Sequence, residues 1–200
     1  MVKLKKTFHT KRMSTKLSKK IKALIKSSQQ FADRSWYPPL IALLAALDNL
    51  IIIIPNDGIL VASAMLIPKR WHLFSIFITI GSTLGAVLLG YLVQLHGLPW
   101  ILDFYPGLNE TQMWLLTQNF FNQYGLLVVF AVAASPLMQH PAIILASLTH
   151  TPLAKLALVI FSGRLIKYIL MGYVASHSPH YLKRFWGIKD ELDDVGVKID

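Results

Sequence analysis

The chain has no cysteine in its 200 residues, which excludes disulfides, thiolate catalysis and cysteine-bound zinc or iron–sulfur centres. Charge is scarce as well: Asp, Glu, Lys and Arg supply 15% of the residues against 54% hydrophobic, with a mean hydropathy of +0.49. A soluble core cannot hide that much apolar chain, so the composition describes one compact integral membrane domain. Catalytic signatures are also missing. There is no His-Glu-x-x-His, no Gly-x-Ser-x-Gly elbow and no Walker loop, and His177-Ser178-Pro179-His180 has no third ligand at metal spacing. Asp57-Gly58 is not followed by the aspartates and arginine that metal-dependent head-group transfer needs. No enzyme, metal or cofactor is expected.

The net charge of +10 comes from one end. Residues 1–34 carry Lys3, Lys5, Lys6, Lys11, Arg12, Lys16, Lys19, Lys20, Lys22, Lys26 and Arg34 against Asp33 alone, and the rest of the chain is neutral. Leu17, Ile21, Leu24, Ile25 and Phe31 recur at helical spacing with lysines on the other faces. Residues 1–35 therefore read as a basic amphipathic helix on an anionic membrane surface. A solvated arm that only sets topology is the alternative. Nucleic acid is not an expected partner, because the arm has little to read bases with. It is not a cleavable signal peptide either, since no small-residue cleavage site follows a short apolar run.

Residues 36–176 form the expected membrane domain, and residues 177–200 a cytoplasmic tail. From Pro39 to Ile67 the chain is almost all oil, interrupted by Asp48-Asn49 and by Pro55-Asn56-Asp57-Gly58. A straight helix of that length would reach ~44 Å, well past the ~30 Å hydrocarbon core. Four isoleucines followed by Pro-Asn-Asp-Gly instead signal a helix stop and a turn. The legs reach only ~22 and ~15 Å. This predicts a re-entrant hairpin turning at Pro55 to Gly58, with Trp36-Tyr37-Pro38-Pro39 and Pro68-Lys69-Arg70-Trp71 at its interfacial ends.

A full membrane helix is expected from about Trp71 to Leu95, with Gly81, Gly85, Ala86 and Gly90 giving a small-residue packing face. Residues 96–118 contain Asp103 and Glu110 but no Lys or Arg. Asn109 with Gln112 resembles a helix start, and Met113, Leu116, Phe120, Phe121 and Tyr124 form an apolar stripe on a surface-lying helix. A second interrupted run, Gly125 to Leu148, breaks at Ser135-Pro136-Leu137-Met138-Gln139-His140-Pro141, and a second full helix is expected from about Pro152 to Ser176.

The halves repeat. Gly81, Leu88, Gly90 and Tyr91 match Gly163, Leu170, Gly172 and Tyr173 at a constant offset of 82, and Pro55 matches Pro136 at 81. One crossing per half inverts the second copy, so the expected fold is all-α with two inverted repeats, each a re-entrant hairpin followed by one transmembrane helix. Charge agrees with this topology. If both hairpins return, the arm, Lys69-Arg70 and Lys183-Arg184 share the cytoplasmic side with both termini, and the Lys/Arg-free loop lies opposite.

Hairpins entering from opposite faces bring their tips together. The substrate- or proton-binding candidates are Asp48 and Asp57 from the first, Gln139 and His140 from the second, and Arg164 and Lys167 on the second crossing. The hairpin and packing residues are Pro55, Gly58, Pro136, Pro141, Gly81, Gly85 and Gly163. Arginine keeps its charge at that depth, so an Asp–Arg pair is the economical expectation. Such a pair serves equally as scaffolding.

Pro55-Asn56-Asp57 with Ile59-Leu60-Val61-Ala62, then Tyr124-Gly125, Ser135-Pro136, and Ser162-Gly163-Arg164-Leu165-Ile166-Lys167-Tyr168 resemble the DedA/VTT membrane family, most of all its small YqaA-like branch. The resemblance spans about residues 40–176. It implies two opposed re-entrant helices, a bacterial cytoplasmic (inner) membrane location, and proton-linked transport or scrambling of lipids, including polyprenyl-phosphate carriers. The acids of the first hairpin and the basic residues of the Gly-Arg motif matter in that family, which here are Asp57, Asp48, Arg164 and Lys167. The chain departs from the family at both tips, with Pro-Asn-Asp-Gly for a proline-glycine-acid turn and Gln139-His140 where glycine and an acid or arginine are commoner. The expected partners are membrane lipids, with a phospholipid or polyprenyl phosphate as substrate and homo-oligomerisation left open. The alternative is a non-transporting membrane scaffold or assembly factor.

Overall fold

The computed structural model describes residues 31–51, 55–104, 106–137 and 139–177. Most of the basic arm, residues 52–54 and the tail lie outside them. The described residues are helical, without strands. In order they are α1 (Tyr37–Ile51), α2 (Asn56–Leu66), α3 (Trp71–Phe104), α4 (Gln112–Tyr124), α5 (Leu126–Ala134), α6 (His140–Leu148) and α7 (Leu153–His177), with 3-10 turns at Pro68–Arg70 and Leu108–Glu110.

The first greasy run folds back on itself. Near the open end the Tyr37 hydroxyl meets the Ser63 hydroxyl at 2.8 Å, and near the tip Asn56 Nδ2 donates to Asp48 Oδ2 at 2.9 Å, so α1 and α2 are antiparallel. The second leg starts earlier than the sequence suggests. Asn56, Asp57 and Gly58 form the first turn of α2, with Pro55 just before it. Proline before a first helical turn is sterically comfortable, and an acid there faces the positive end of the helix dipole. In the second run, likewise, His140 and Pro141 belong to the first turn of α6, so the break is Ser135 to Gln139 and not the longer stretch through Pro141. A proline lacking an N–H costs nothing in a first turn.

Helix α3 continues beyond Leu95 to Phe104 but breaks at Gly97, where φ is +73° and Pro99 follows. Glycine alone adopts that conformation cheaply. Helix α7 begins and ends one residue beyond the expected Pro152 and Ser176. Helix α4 is capped by Thr111, which accepts from Trp114 N at 3.2 Å, and not by Asn109, which sits in the preceding 3-10 turn. Its Trp114 and Thr117 are buried, while Met113, Leu116, Phe120 and Tyr124 face outward.

The long helices are antiparallel. Ser75 Oγ donates to Tyr168 O at 2.8 Å at one end, and Gly90 lies against Leu156 toward the other. Helix α1 packs along α3 and α5 along α7, whereas α2 packs on α7 and α6 on α3. Glycine makes the close approaches possible. A methyl group at Gly81 or Gly85 would overlap the backbone of Ala42 or Ala46 in α1, and one at Gly163 would collide with Phe130 and Ala133 in α5.

Polarity is arranged inside out. Asn49, Asn56, Asp57, Ser63, Ser75, Thr79, Ser82, Arg164 and Lys167 are buried. The outer face of α3 is Ile76, Ile80, Leu84, Leu88, Tyr91 and Leu95, and that of α7 includes Leu158, Ile166 and Leu170. Among the described residues one helical stretch, Pro68–Asp103, is long and apolar enough to cross a membrane by length and composition.

Candidate functional site

The hairpins meet in the interior. Along α3, the N-terminal end of α1 sets Tyr37 edge-to-face against Phe74 and its far end reaches Ser82 through Asn49. The first hairpin therefore penetrates only part of the way along α3. On the other side, Gly163 packs against the last turn of α5, so the second hairpin turns beside the middle of α7.

Arg164 and Lys167 are three residues apart, hence neighbours on one face of α7, and both are 3% exposed. They divide the work. Lys167 Nζ lies 2.6 Å from Asp57 Oδ2 at the start of α2 and 5.3 Å from the centroid of the Tyr168 ring. Arg164 binds both hairpins, with Nε donating to Gln139 Oε1 at 2.8 Å and Nη2 to Asn49 Oδ1 at 2.9 Å. Asn49 is fixed in turn, its Nδ2 donating to Ala45 O at 3.0 Å and Ser82 O at 3.1 Å. The acid thus pairs with lysine and not with the expected arginine. Lys167 sits one turn farther along α7, level with the start of α2, while the guanidinium projects between the tips, where its hydrogen bonds go to neutral amides and the carboxylates of Asp48 and Asp57 act on it through space.

The structure brings five of the six candidates into direct contacts: Asp57 with Lys167, Asp48 with Asn56, and Gln139 with Arg164. His140, the sixth, is buried beside them; neither ring nitrogen makes a hydrogen bond, although the backbone of Asp48 lies alongside. Gly81, Gly85 and Gly163 all stand at helix–helix seams. Pro136 is exposed in the second turn, and Gly58 is helical and not a turn residue. Sequence reasoning missed Asn49, Asn56 and Ser82. An amide in a greasy run is costly to leave unpaired, though less so than a charge, so Asn49 and Asn56 carried a usable signal.

The unsatisfied groups have a pattern. Among the described residues the buried side-chain atoms without a hydrogen-bond partner are Asn56 Oδ1, Thr83 Oγ1, His140 Nδ1 and Nε2, and Arg164 Nη1. Asn56, His140 and Arg164 belong to the tip junction, and Thr83 lies on α3 next to Ser82. Buried polar atoms ordinarily find partners, so the tip junction offers both donors and acceptors to a polar guest. No group of three or more His, Asp or Glu suited to a metal occurs among the described residues.

No family model matches the chain, and no solved structure matches it. It is similar to a protein of Haemophilus influenzae described only as uncharacterized, 24% identical over 123 residues. That alignment covers 62% of this chain and 64% of the relative, so the chain spans less than two thirds of the relative's length.

Proposed function

We propose that the protein is an integral membrane lipid transporter or scramblase of DedA/VTT type, residing in a bacterial inner membrane and moving phosphate-bearing lipid. The observation that carries this reading is the environment of Arg164. Its guanidinium is buried between two hairpin tips, its hydrogen-bond partners are neutral amides, and one nitrogen is left over. A buried cation whose hydrogen bonds go to neutral groups, with the carboxylates of Asp48 and Asp57 acting on it only through space, has a donor to offer an anion.

The inside-out polarity supports a lipid setting, since a soluble fold of this size has little use for a face of Ile, Leu and Tyr outside and Asp, Arg and Lys within. The paired contacts support two inverted repeats. In each half the first leg packs on the long helix of its own half and the second leg on that of the other. Two partial penetrations that meet inside are the plan by which opposed hairpins line a polar passage.

The closed Asp57–Lys167 pair favours a second reading, a membrane scaffold in which that contact only pins α2 to α7. A lipid-flip assay in vesicles separates the two. Under the transport reading, Asp57→Asn and Arg164→Ala each abolish movement while the protein stays folded. Movement at the wild-type rate in both folded variants would mean that the transport site is misassigned, and no lipid movement by the wild-type protein would leave the scaffold.

A further inference from the structure

The two buried cations of α7 are held differently. Lys167 Nζ lies 2.6 Å from the carboxylate of Asp57, whereas Arg164, one turn earlier, makes its hydrogen bonds to the amide oxygens of Asn49 and Gln139. An acid stands next to Asn49 in the sequence, but its hydrogen bond goes elsewhere. Asp48 Oδ2 accepts from Asn56 Nδ2 at 2.9 Å, and its charge acts on Arg164 through space. A carboxylate at position 49 would bind the guanidinium about twice as strongly as an amide oxygen does. A contact that served only to pin α1 to α7 would be better made by that carboxylate. An amide holds the guanidinium and leaves its charge uncancelled.

Asn49 also holds it in one orientation. The side chain is buried, and its Nδ2 donates to Ala45 O at 3.0 Å within α1 and to Ser82 O at 3.1 Å on α3. Both acceptors are carbonyl oxygens, so the amide fits only one way round, with Oδ1 toward Arg164 Nη2 at 2.9 Å. The support behind it is firm, because Gly81 and Gly85, flanking Ser82, set α3 against the α1 backbone at Ala42 and Ala46. Gln139 takes Nε from the second hairpin. Nη1 is left buried without a hydrogen bond, as are both ring nitrogens of His140, the residue after Gln139. Position is fixed while donor capacity is kept.

We propose that Asn49 is the positioning residue of the Arg164 site, its fixed carbonyl holding the guanidinium in place for an anionic head group without neutralising it. This rests on the transport reading and adds to it a residue that acts through Arg164.

The test uses the full chain in phosphatidylcholine vesicles that contain phosphatidic acid labelled on one acyl chain, with its movement followed over a range of phosphatidic acid fractions. Asn49→Asp should raise the half-saturating fraction by at least about tenfold, since a like charge then faces the anion. Gln139→Glu, which brings a carboxylate to the same guanidinium from the half-buried side, should raise it likewise. Asn49→Ala removes the hold and adds no charge, and should raise it about threefold, the scale of one hydrogen bond. A purely structural role gives a different pattern, because a loss of folded protein lowers the maximal rate and leaves the half-saturating fraction where it was. If either Asn49 variant does not fold, the other and Gln139→Glu decide. The wild-type fraction in the folded variants, with movement abolished in Arg164→Ala, would overturn the role of Asn49 and leave the transport reading standing. Normal movement in Arg164→Ala would remove both.

Discussion

The two hairpins share a plan and differ in how firmly they are held. The first has legs of 15 and 11 residues, is clamped to α3 through two glycines, and is bound to α7 by the Asp57–Lys167 ion pair. The second has two legs of nine residues, has Gly163 as its close glycine contact with α7, and meets Arg164 through the neutral, half-buried Gln139. Nearly all of α2 and α6 is buried, but in α5 only Val129 and Ala133 are. One hairpin is an anchor. The other has a leg that faces outward and a tip tied by a bond that water or a ligand can replace.

The largest test of this contrast is the ion pair. Lys167→Met leaves the Asp57 carboxylate buried without its cation, which should cost about 3–5 kcal/mol, read as a lowered unfolding midpoint in detergent. Combining it with Asp57→Asn should recover most of the loss. A single variant as stable as wild type would show that the first hairpin is not anchored there. The seams come next. Gly81→Leu drives a side chain into the Ala42 backbone and should cost about 3 kcal/mol, the upper end of ordinary overpacking, whereas Gly163→Ala should cost about 1 kcal/mol. Equal losses would mean that the two seams are equally tight. The smallest difference lies in the amides on Arg164. Asn49→Ala removes the buried acceptor of Arg164 Nη2, about 2 kcal/mol, whereas water can replace the half-buried Gln139 in Gln139→Ala, below about 1 kcal/mol. Calorimetric unfolding of both single variants orders them.

Much of this arrangement was legible in the residues. Proline and β-branched runs located both interruptions, because they act on the local backbone whatever surrounds them. The offset between Gly81 and Gly163 predicted matching seams, and the structure puts both at helix contacts. Local signals did less well on where a turn ends. Asn56-Asp57-Gly58 has turn chemistry, yet it winds into α2, where a first helical turn tolerates the same residues. The choice of Lys167 over Arg164 as the partner of Asp57 was not legible. It depends on the height of α2 along α7, which is set by packing across more than a hundred residues of sequence.

The account depends most on both hairpins returning to the face they entered, and the absence of native cysteine makes this directly measurable. Single thiols at Lys69→Cys and Asn109→Cys, probed in sealed vesicles with a membrane-impermeant maleimide, report on opposite ends of α3. The account predicts that position 69 labels from the cytoplasmic side and position 109 from the other. Labelling of position 69 from the outer side would make the first hairpin a full crossing and contradict the meeting of the tips within the membrane.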